Sequence, residues 1–341
     1  MAKKRSLSRV ATIAGLACCL VFVSTFTLSC SKKSGGYKVA VIGFEDEYLG
    51  DERNDLVKFG KTKVEAELSA TVDFIQPGSV QAEELFADKP DAYDLVVAMG
   101  QNSSRDMLSA RPAETTVQSV ALDFEISQPV PGENQVSLIR YRVEEGSYLC
   151  GFLAGWLTAR NDHPLTNTLP LAAFIGSLDD PLEPYYDGGF SKGVKAAAPN
   201  GGTHRYFIPN ASDSAKAKAC AEEAVKKGVD IIFCTPGSFN DAVIKVAEEK
   251  NILVMLVGSE DNTKSPEHIL TSLVLRDDSA LLDAVERAMD GGLKGGRSTL
   301  GSNDGIWSLA PFGDHDIYIR KELKEALSEQ EEKVSSIDFS S

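Results

Sequence analysis

Carboxylates and glycine-rich turns recur in this chain at the ends of short apolar runs. Asp46 and Tyr48 lie in the loop 44–51 after the run 37–43, and Gly100-Gln101-Asn102 follows the run 93–99. Asp123 follows 116–122, Pro236-Gly237-Ser238-Phe239 follows 230–235, and Glu260 follows 253–257. The chemistry these groups support is recognition of a small polar molecule. A carboxylate accepts from hydroxyls or an amine, and the free amides of a helix start suit an oxygen-rich ligand. Alternatives stay open at three positions. Asp46 and Tyr48 either contact ligand or belong to an acidic solvated loop, Asp123 either serves a cleft or caps the next turn, and Phe239 either stacks on a base or packs beneath. The residues alone favour packing for Phe239.

Catalysis finds no constellation. There is no Walker glycine loop, no HExxH and no GxSxG, and Gly146-Ser147-Tyr148 sits in the wrong context for a nucleophile elbow. His315 and Asp316 are adjacent without a nucleophile among their chain neighbours. The pairs Asp179-Asp180, Glu144-Glu145 and Asp277-Asp278 read as solvated faces or helix caps. The four histidines are scattered and no CxxC exists, so neither a zinc site nor another cofactor is expected.

The elements that must position these loops alternate in type. Strands are expected at 37–43, 71–75, 93–100 and 116–122, with helices at 55–68, 81–87 and 103–110 between them. That rhythm suits βαβ crossovers and a parallel sheet, whose ligand-facing edge is where strand carboxyl ends emerge. A central stretch, 136–158, joins a buried strand (136–141) to a helix from Glu144. In it Tyr148, Leu149, Phe152, Leu153, Trp156 and Leu157 recur at helical spacing. Small residues between them (Gly146, Cys150, Gly151, Ala154, Gly155) let that helix lie close to a neighbouring sheet. A second round follows: strands at 169–175, 203–208, 230–235, 253–257 and 269–276, with helices at 189–198, 212–227, 239–250 and 280–289. Gly291-Gly292 and Gly295-Gly296 break the chain, and a charged helix at 319–333 ends it. The expected fold is α/β: two Rossmann-like lobes with parallel sheets and a cleft between them, closing by hinge changes at the crossings. The expected boundaries are 37–160 for lobe 1, 161–290 for lobe 2, and 291–341 for a crossing segment and a return to lobe 1.

The amino-terminal end has another character. Lys3, Lys4, Arg5 and Arg9 precede an uncharged, apolar span 10–31, which reads as a signal peptide over 1–29 with an uncleaved anchor as its competitor. Leu28-Ser29-Cys30-Ser31 resembles a bacterial lipoprotein signal, giving a lipidated Cys30 and a polar tether over 30–36. The acyl chains would hold the protein to the cell membrane or outer membrane on its extracytoplasmic side. The whole chain has 341 residues and a net charge of −15; loss of 1–29 removes four basic and no acidic residues, leaving about −19. So acidic a body is a poor binder of nucleic acid.

Assembled in order, several motifs resemble the basic membrane protein family of bacterial lipoproteins, which includes purine nucleoside receptors of ABC importers. They are R-x-x-E-G-S-Y-L-x-G-x-L-A-G from Arg142, Gly189-Phe190-x-x-Gly193, Gly228-x-Asp230-Ile231-Ile232, and Gly291-Gly292-x-Lys294-Gly295-Gly296. The resemblance covers most of 39–312. It implies a type I periplasmic-binding-protein-like fold with three crossings, a lipid anchor, a nucleoside-like small-molecule ligand, an ABC permease as partner, and no catalysis. Under it Asp46 and Asp123 match binding carboxylates and Phe239 lies near a stacking position. Leu49, Gly50, Gly258 and Leu275 stand where the family has phenylalanine, asparagine, aspartate and lysine. Tyr48, Glu260 and Arg276 are the nearby replacements. With Gly100, Gln101 and Gly237 these make the expected ligand set; a degenerate or repurposed cleft on an interaction lipoprotein is the alternative.

Overall fold

The computed structural model describes residues 36–45, 50–78, 82–87, 92–258 and 262–340. In chain order the elements of the first half are β1 (Tyr37–Ile42), α1 (Gly50–Glu67), β2 (Ala70–Ile75), β3 (Leu95–Met99), α2 (Gly100–Ala110), β4 (Gln118–Leu122), β5 (Ser137–Tyr141) and α3 (Val143–Arg160). The second half adds β6 (Leu171–Ser177), α4 (Glu183–Ala197), β7 (Gly202–Ile208), α5 (Ser214–Lys226), β8 (Ile231–Cys234), α6 (Asn240–Lys250), β9 (Leu253–Gly258), β10 (Ile269–Leu275) and α7 (Asp277–Met289). β11 (Gly296–Leu300), β12 (Trp307–Leu309) and α8 (Lys321–Val334) complete the chain. Two six-stranded sheets result, in the orders β11-β5-β4-β3-β1-β2 and β12-β10-β9-β8-β6-β7. Every pairing is parallel except β10 with β12.

Both faces of each sheet are covered, which is why the strands read as continuous apolar runs. Side chains alternate across the first sheet: Val39 and Val41 enter the core under α1 and α7, while Ala40 and Ile42 enter the one under α2. In the second sheet Phe174 and Phe233 face α3 and α4, while Ile175 and Cys234 face α5 and α6. One apolar cluster runs from the α1/α7 side of the first sheet to the α3/α4 side of the second. Cys150, Cys220 and Cys234 are buried free thiols.

The chain passes between sheets after β5, after β10 and between β11 and β12, at Arg142, Arg276 and 301–306. These crossings differ from the expected boundaries at 160 and 290. Helix α3 packs on α4 in the second lobe, and α7 packs on α1 in the first through its stripe Ala280, Leu281, Ala284, Val285 and Ala288. The expected return to lobe 1 is made by β11 alone; α8 lies on α3, where Tyr148 Oη donates to Gln330 Oε1 at 2.7 Å. Of the small residues in α3, Gly146 lies against Leu273 of β10, as the approach to a sheet requires, whereas Gly151 and Gly155 lie against helix α4 at Phe190 and Val194. The crossings run side by side: Arg142 N–H donates to Leu300 O at 2.8 Å and Arg276 N–H to Ile306 O at 2.7 Å. Glu145, fully buried at the start of α3, accepts from Ser302 N–H at 2.6 Å and Trp307 Nε1 at 3.3 Å, and pairs with Arg142 at 2.8 Å.

Candidate functional site

A cleft of about 580 Å³ opens where the carboxyl ends of the two sheets face each other. The first lobe contributes Phe44, Glu45, Arg53, Gly100, Gln101, Arg105 and Asp123; the second contributes Asp179, Asp180, Tyr186, Ser212, Pro236 and Ser238. The volume suits a small polar solute.

The floor is set by α1, which starts at Gly50 and not at 55 as expected, so that Arg53 falls within the helix. Arg53 is buried, its guanidinium 3.8 Å from the centre of the Phe44 ring. It donates from Nη1 to Asp123 Oδ2 at 2.8 Å and, bidentately, from Nε and Nη2 to Asp277 at 2.8 and 2.7 Å. Tyr141 Oη donates to Asp277 Oδ1 at 3.2 Å. Burial works to strip Arg53 of its proton; Asp277 and Asp123 overcome it and hold the guanidinium well above its ordinary pKa. Asp123 follows β4 in the left-handed region, φ 54°, a conformation aspartate tolerates better than most residues. Its second oxygen, Oδ1, is buried without a hydrogen-bond partner among the described residues.

Gly100 begins α2 at φ 76°, and a Cβ there would lie 2.7 Å from the Phe44 ring, so glycine is demanded twice. Gln101 lines the cleft but turns its carboxamide to Glu125, donating to the carbonyl at 3.0 Å and accepting from the N–H at 2.8 Å. In the second lobe, Asp179 accepts from Ser177 Oγ and from Ala211 N–H, and Asp180 Oδ1 accepts from Leu182 N–H at 2.8 Å. Burial first, then the charges of Asp123 and Asp179, push the Asp180 carboxyl up to about 7; Leu182 N–H and Arg53 oppose them.

Of the expected set, Gly100, Gln101 and Asp123 come together on this floor. Gly237 lies between the lining residues Pro236 and Ser238, where a Cβ would meet the Phe239 ring at 2.5 Å. Phe239 has no exposed surface and belongs to the core under α5 and α6. Arg276 stands at the second crossing, bidentate on Asp278 at 2.9 Å. Cys30, Asp46, Tyr48 and Glu260 lie outside the described residues. The sequence reading missed Arg53, Phe44, Tyr186 and the Asp179-Asp180 pair. A basic residue at the start of a helix entered from an acidic loop was the available signal for Arg53.

A family model described as "ABC transporter substrate-binding protein PnrA-like", Bmp, matches residues 59–338. Among curated relatives, a CD4+ T-cell-stimulating antigen of Listeria monocytogenes is 24% identical over 335 residues, covering 90% of this chain and 88% of that one. Basic membrane protein B of Borreliella afzelii is 22% identical over 225 residues, 63% of each chain. Among solved structures, a transcriptional activator of the comK gene from Bacillus halodurans superposes with TM-score 0.69 at 15% identity, covering 90% of this chain and all of that one. A solute-binding protein of an ABC transporter system from Aeropyrum pernix K1 superposes at 0.65 and 17% identity, covering 88% and 91%. The two-lobed α/β architecture with parallel sheets is thus of the periplasmic-binding-protein type, and the family is one of ABC transporter substrate-binding proteins. The cleft, the three crossings and a match across most of the folded body lead to one assignment: the chain belongs to the Bmp family of PnrA-like ABC transporter substrate-binding proteins.

Proposed function

We propose that this importer-type solute-binding protein is lipid-anchored through Cys30, takes a nucleoside-like solute between its lobes and presents it to an ABC permease. One observation carries the reading. Asp123 Oδ1 is a buried acceptor on the cleft floor without a donor among the described residues, and such an oxygen is costly until a ligand hydroxyl or N–H meets it. Gly100 beside it keeps the floor open, and Phe44 and Tyr186 supply apolar surface. A membrane-associated, extracytoplasmic position accords with the family.

A second reading, a cleft repurposed for another surface role, is favoured by the engagement of the other Asp123 oxygen with Arg53. Isothermal titration of the mature chain with purine and pyrimidine nucleosides separates the two. Micromolar or tighter binding is expected, and Asp123→Asn weakens it by about ten- to a hundredfold, the effect of losing one charge-assisted hydrogen bond. Unchanged far-ultraviolet circular dichroism of the variant excludes misfolding. Absence of nucleoside-dependent heat would overturn the nucleoside assignment and put the repurposed cleft first.

A further inference from the structure

We propose that the solute carries a protonated amine, which docks between Asp123 of the first lobe and Asp180 of the second. The inference rests on the receptor reading above and names the chemistry of the solute within it.

The charges of the cleft decide the matter. Its lining carries the carboxylates of Glu45, Asp123, Asp179 and Asp180 against the guanidiniums of Arg53 and Arg105. Arg53 is not available to balance them. Its bidentate pair is with Asp277, which lies behind the floor, and the single bond it spares for Asp123 goes to Oδ2, leaving Oδ1 without a donor among the described residues. Arg105 is exposed at the rim and also borders a separate groove beside Leu108, Phe124 and Val130. Glu45 and Asp179 are exposed as Arg105 is, so the inner part of the cleft holds buried Arg53 and Asp123 beside the half-buried Asp180, and with Asp277 behind the floor its carboxylates outnumber the one guanidinium.

Asp123 is 4% exposed, lines the cleft, and has one oxygen without a hydrogen-bond partner among the described residues. A hydroxyl could satisfy that oxygen's geometry, but only a cation also relieves the charge shared with Asp179 and Asp180. An ammonium suits the position, since it carries three donors and a charge opposite to that of both lining carboxylates. Aliphatic amines and amidines attached to a polyhydroxylated or heteroaromatic body are the implied class.

The behaviour of Asp180 supports this. It is faced by Asp123 and Arg53 from the first lobe and by Asp179, Glu183 and Tyr186 from its own. With its carboxyl pushed up to about 7, it is half protonated near neutrality in the empty cleft. An arriving cation favours the ionised form, so binding releases a proton wherever Asp180 was protonated. Affinity for a cation should then be full above that pKa and fall by up to about tenfold per pH unit below it.

The test is calorimetric titration of the mature full-length chain with matched probes: adenosine, 5′-amino-5′-deoxyadenosine, and the plain polyamine spermidine, between pH 5.5 and 8.5. At pH 8 the amino nucleoside is expected to bind at least about tenfold tighter than adenosine, a charge-assisted contact replacing a neutral one. That advantage should shrink towards pH 5.5, and Asp180→Asn should flatten the pH profile. Adenosine binding as tightly as its amino analogue would overturn the amine inference and leave the receptor reading intact. Spermidine binding without either nucleoside would support the amine and overturn the nucleoside body. Binding of none of the three would overturn the inference.

Discussion

Gly151→Ala should cost this protein more than about 3 kcal/mol of stability, at the upper end of what overpacking one methyl does. The reason is that α3 and α4 touch main chain to main chain. A Cβ at Gly151 would lie 2.0 Å from Phe190 O, one at Gly193 2.0 Å from Tyr148 O, and one at Gly189 2.3 Å from Glu144 O. The obstacles are carbonyl oxygens, not the ends of flexible side chains, so relief requires the helices to part. Parting them would open the cluster in which Leu149, Leu153, Phe190 and Val194 are fully or almost fully buried. Gly188 supplies the control on the same helix: it is exposed and nothing lies within 4 Å of its added Cβ. Gly188→Ala should be neutral or gain up to about 1 kcal/mol from helix propensity. Urea unfolding followed by circular dichroism measures both. An unchanged midpoint for Gly151→Ala would refute the close-packed pair as the joint of the second lobe.

This joint also marks how far the sequence could be read. Gly151 and Gly155 in α3 announced a close approach, and Gly189 and Gly193 stood in a recognisable motif. What they approach is each other, a pairing that spacing along one helix does not carry. The apolar stripe of α7 is equally plain from residue to residue. Its destination on α1 depends on the crossing at Arg276, where β10 ends and the chain changes lobe. β11 was not expected at all, because in Gly296–Leu300 only Leu300 is buried. Edge strands pack one face weakly and lack the apolar run by which inner strands are found.

The site divides in the same way. Asp123 and Gly100 were legible because a parallel sheet fixes where strand ends emerge, so a position after an apolar run becomes a position on the cleft. Phe239 lies at a comparable strand exit yet has no exposed surface, because its ring packs into the core under α5 and α6, in space that a side chain at Gly237 would take. Arg53 was hidden by a helix boundary. With the helix expected from 55 it belonged to a loop; with α1 running from Gly50, it is placed to reach Asp123, 70 residues away, and Asp277, 224 away. Contacts of that separation leave no periodic trace in the sequence.

Arg53→Met is expected to destabilise the protein by about 3–5 kcal/mol, the cost of breaking a buried ion pair and leaving its partners behind. Asp277 has no exposed surface and Asp123 is 4% exposed; without Arg53 the first retains the Tyr141 hydroxyl and the second loses the one hydrogen bond given to its side chain among the described residues. The loss should depend on pH in a determined direction. Burial alone raises the Asp277 carboxyl and Arg53 opposes it, so removing Arg53 lifts the folded-state pKa further above the unfolded one. A carboxyl of that kind loses stability as pH rises from its unfolded pKa through its folded one, and the deficit of Arg53→Met should be smallest near pH 4 and grow towards pH 7. Adding Asp277→Asn removes one stranded charge, so the double variant should be more stable at pH 7 than Arg53→Met alone. Urea midpoints of the wild type and the three variants at pH 4 and 7 form the complete cycle. Strict additivity with no pH dependence would mean that Arg53 and Asp277 are neighbours without coupling. Coupling has a consequence beyond stability, because Tyr141 and Asp277 each stand one residue from a crossing, at Arg142 and Arg276. Arg53 ties Asp123 on the cleft floor to Asp277 and, through it, to Tyr141, beside two of the three crossings between the lobes.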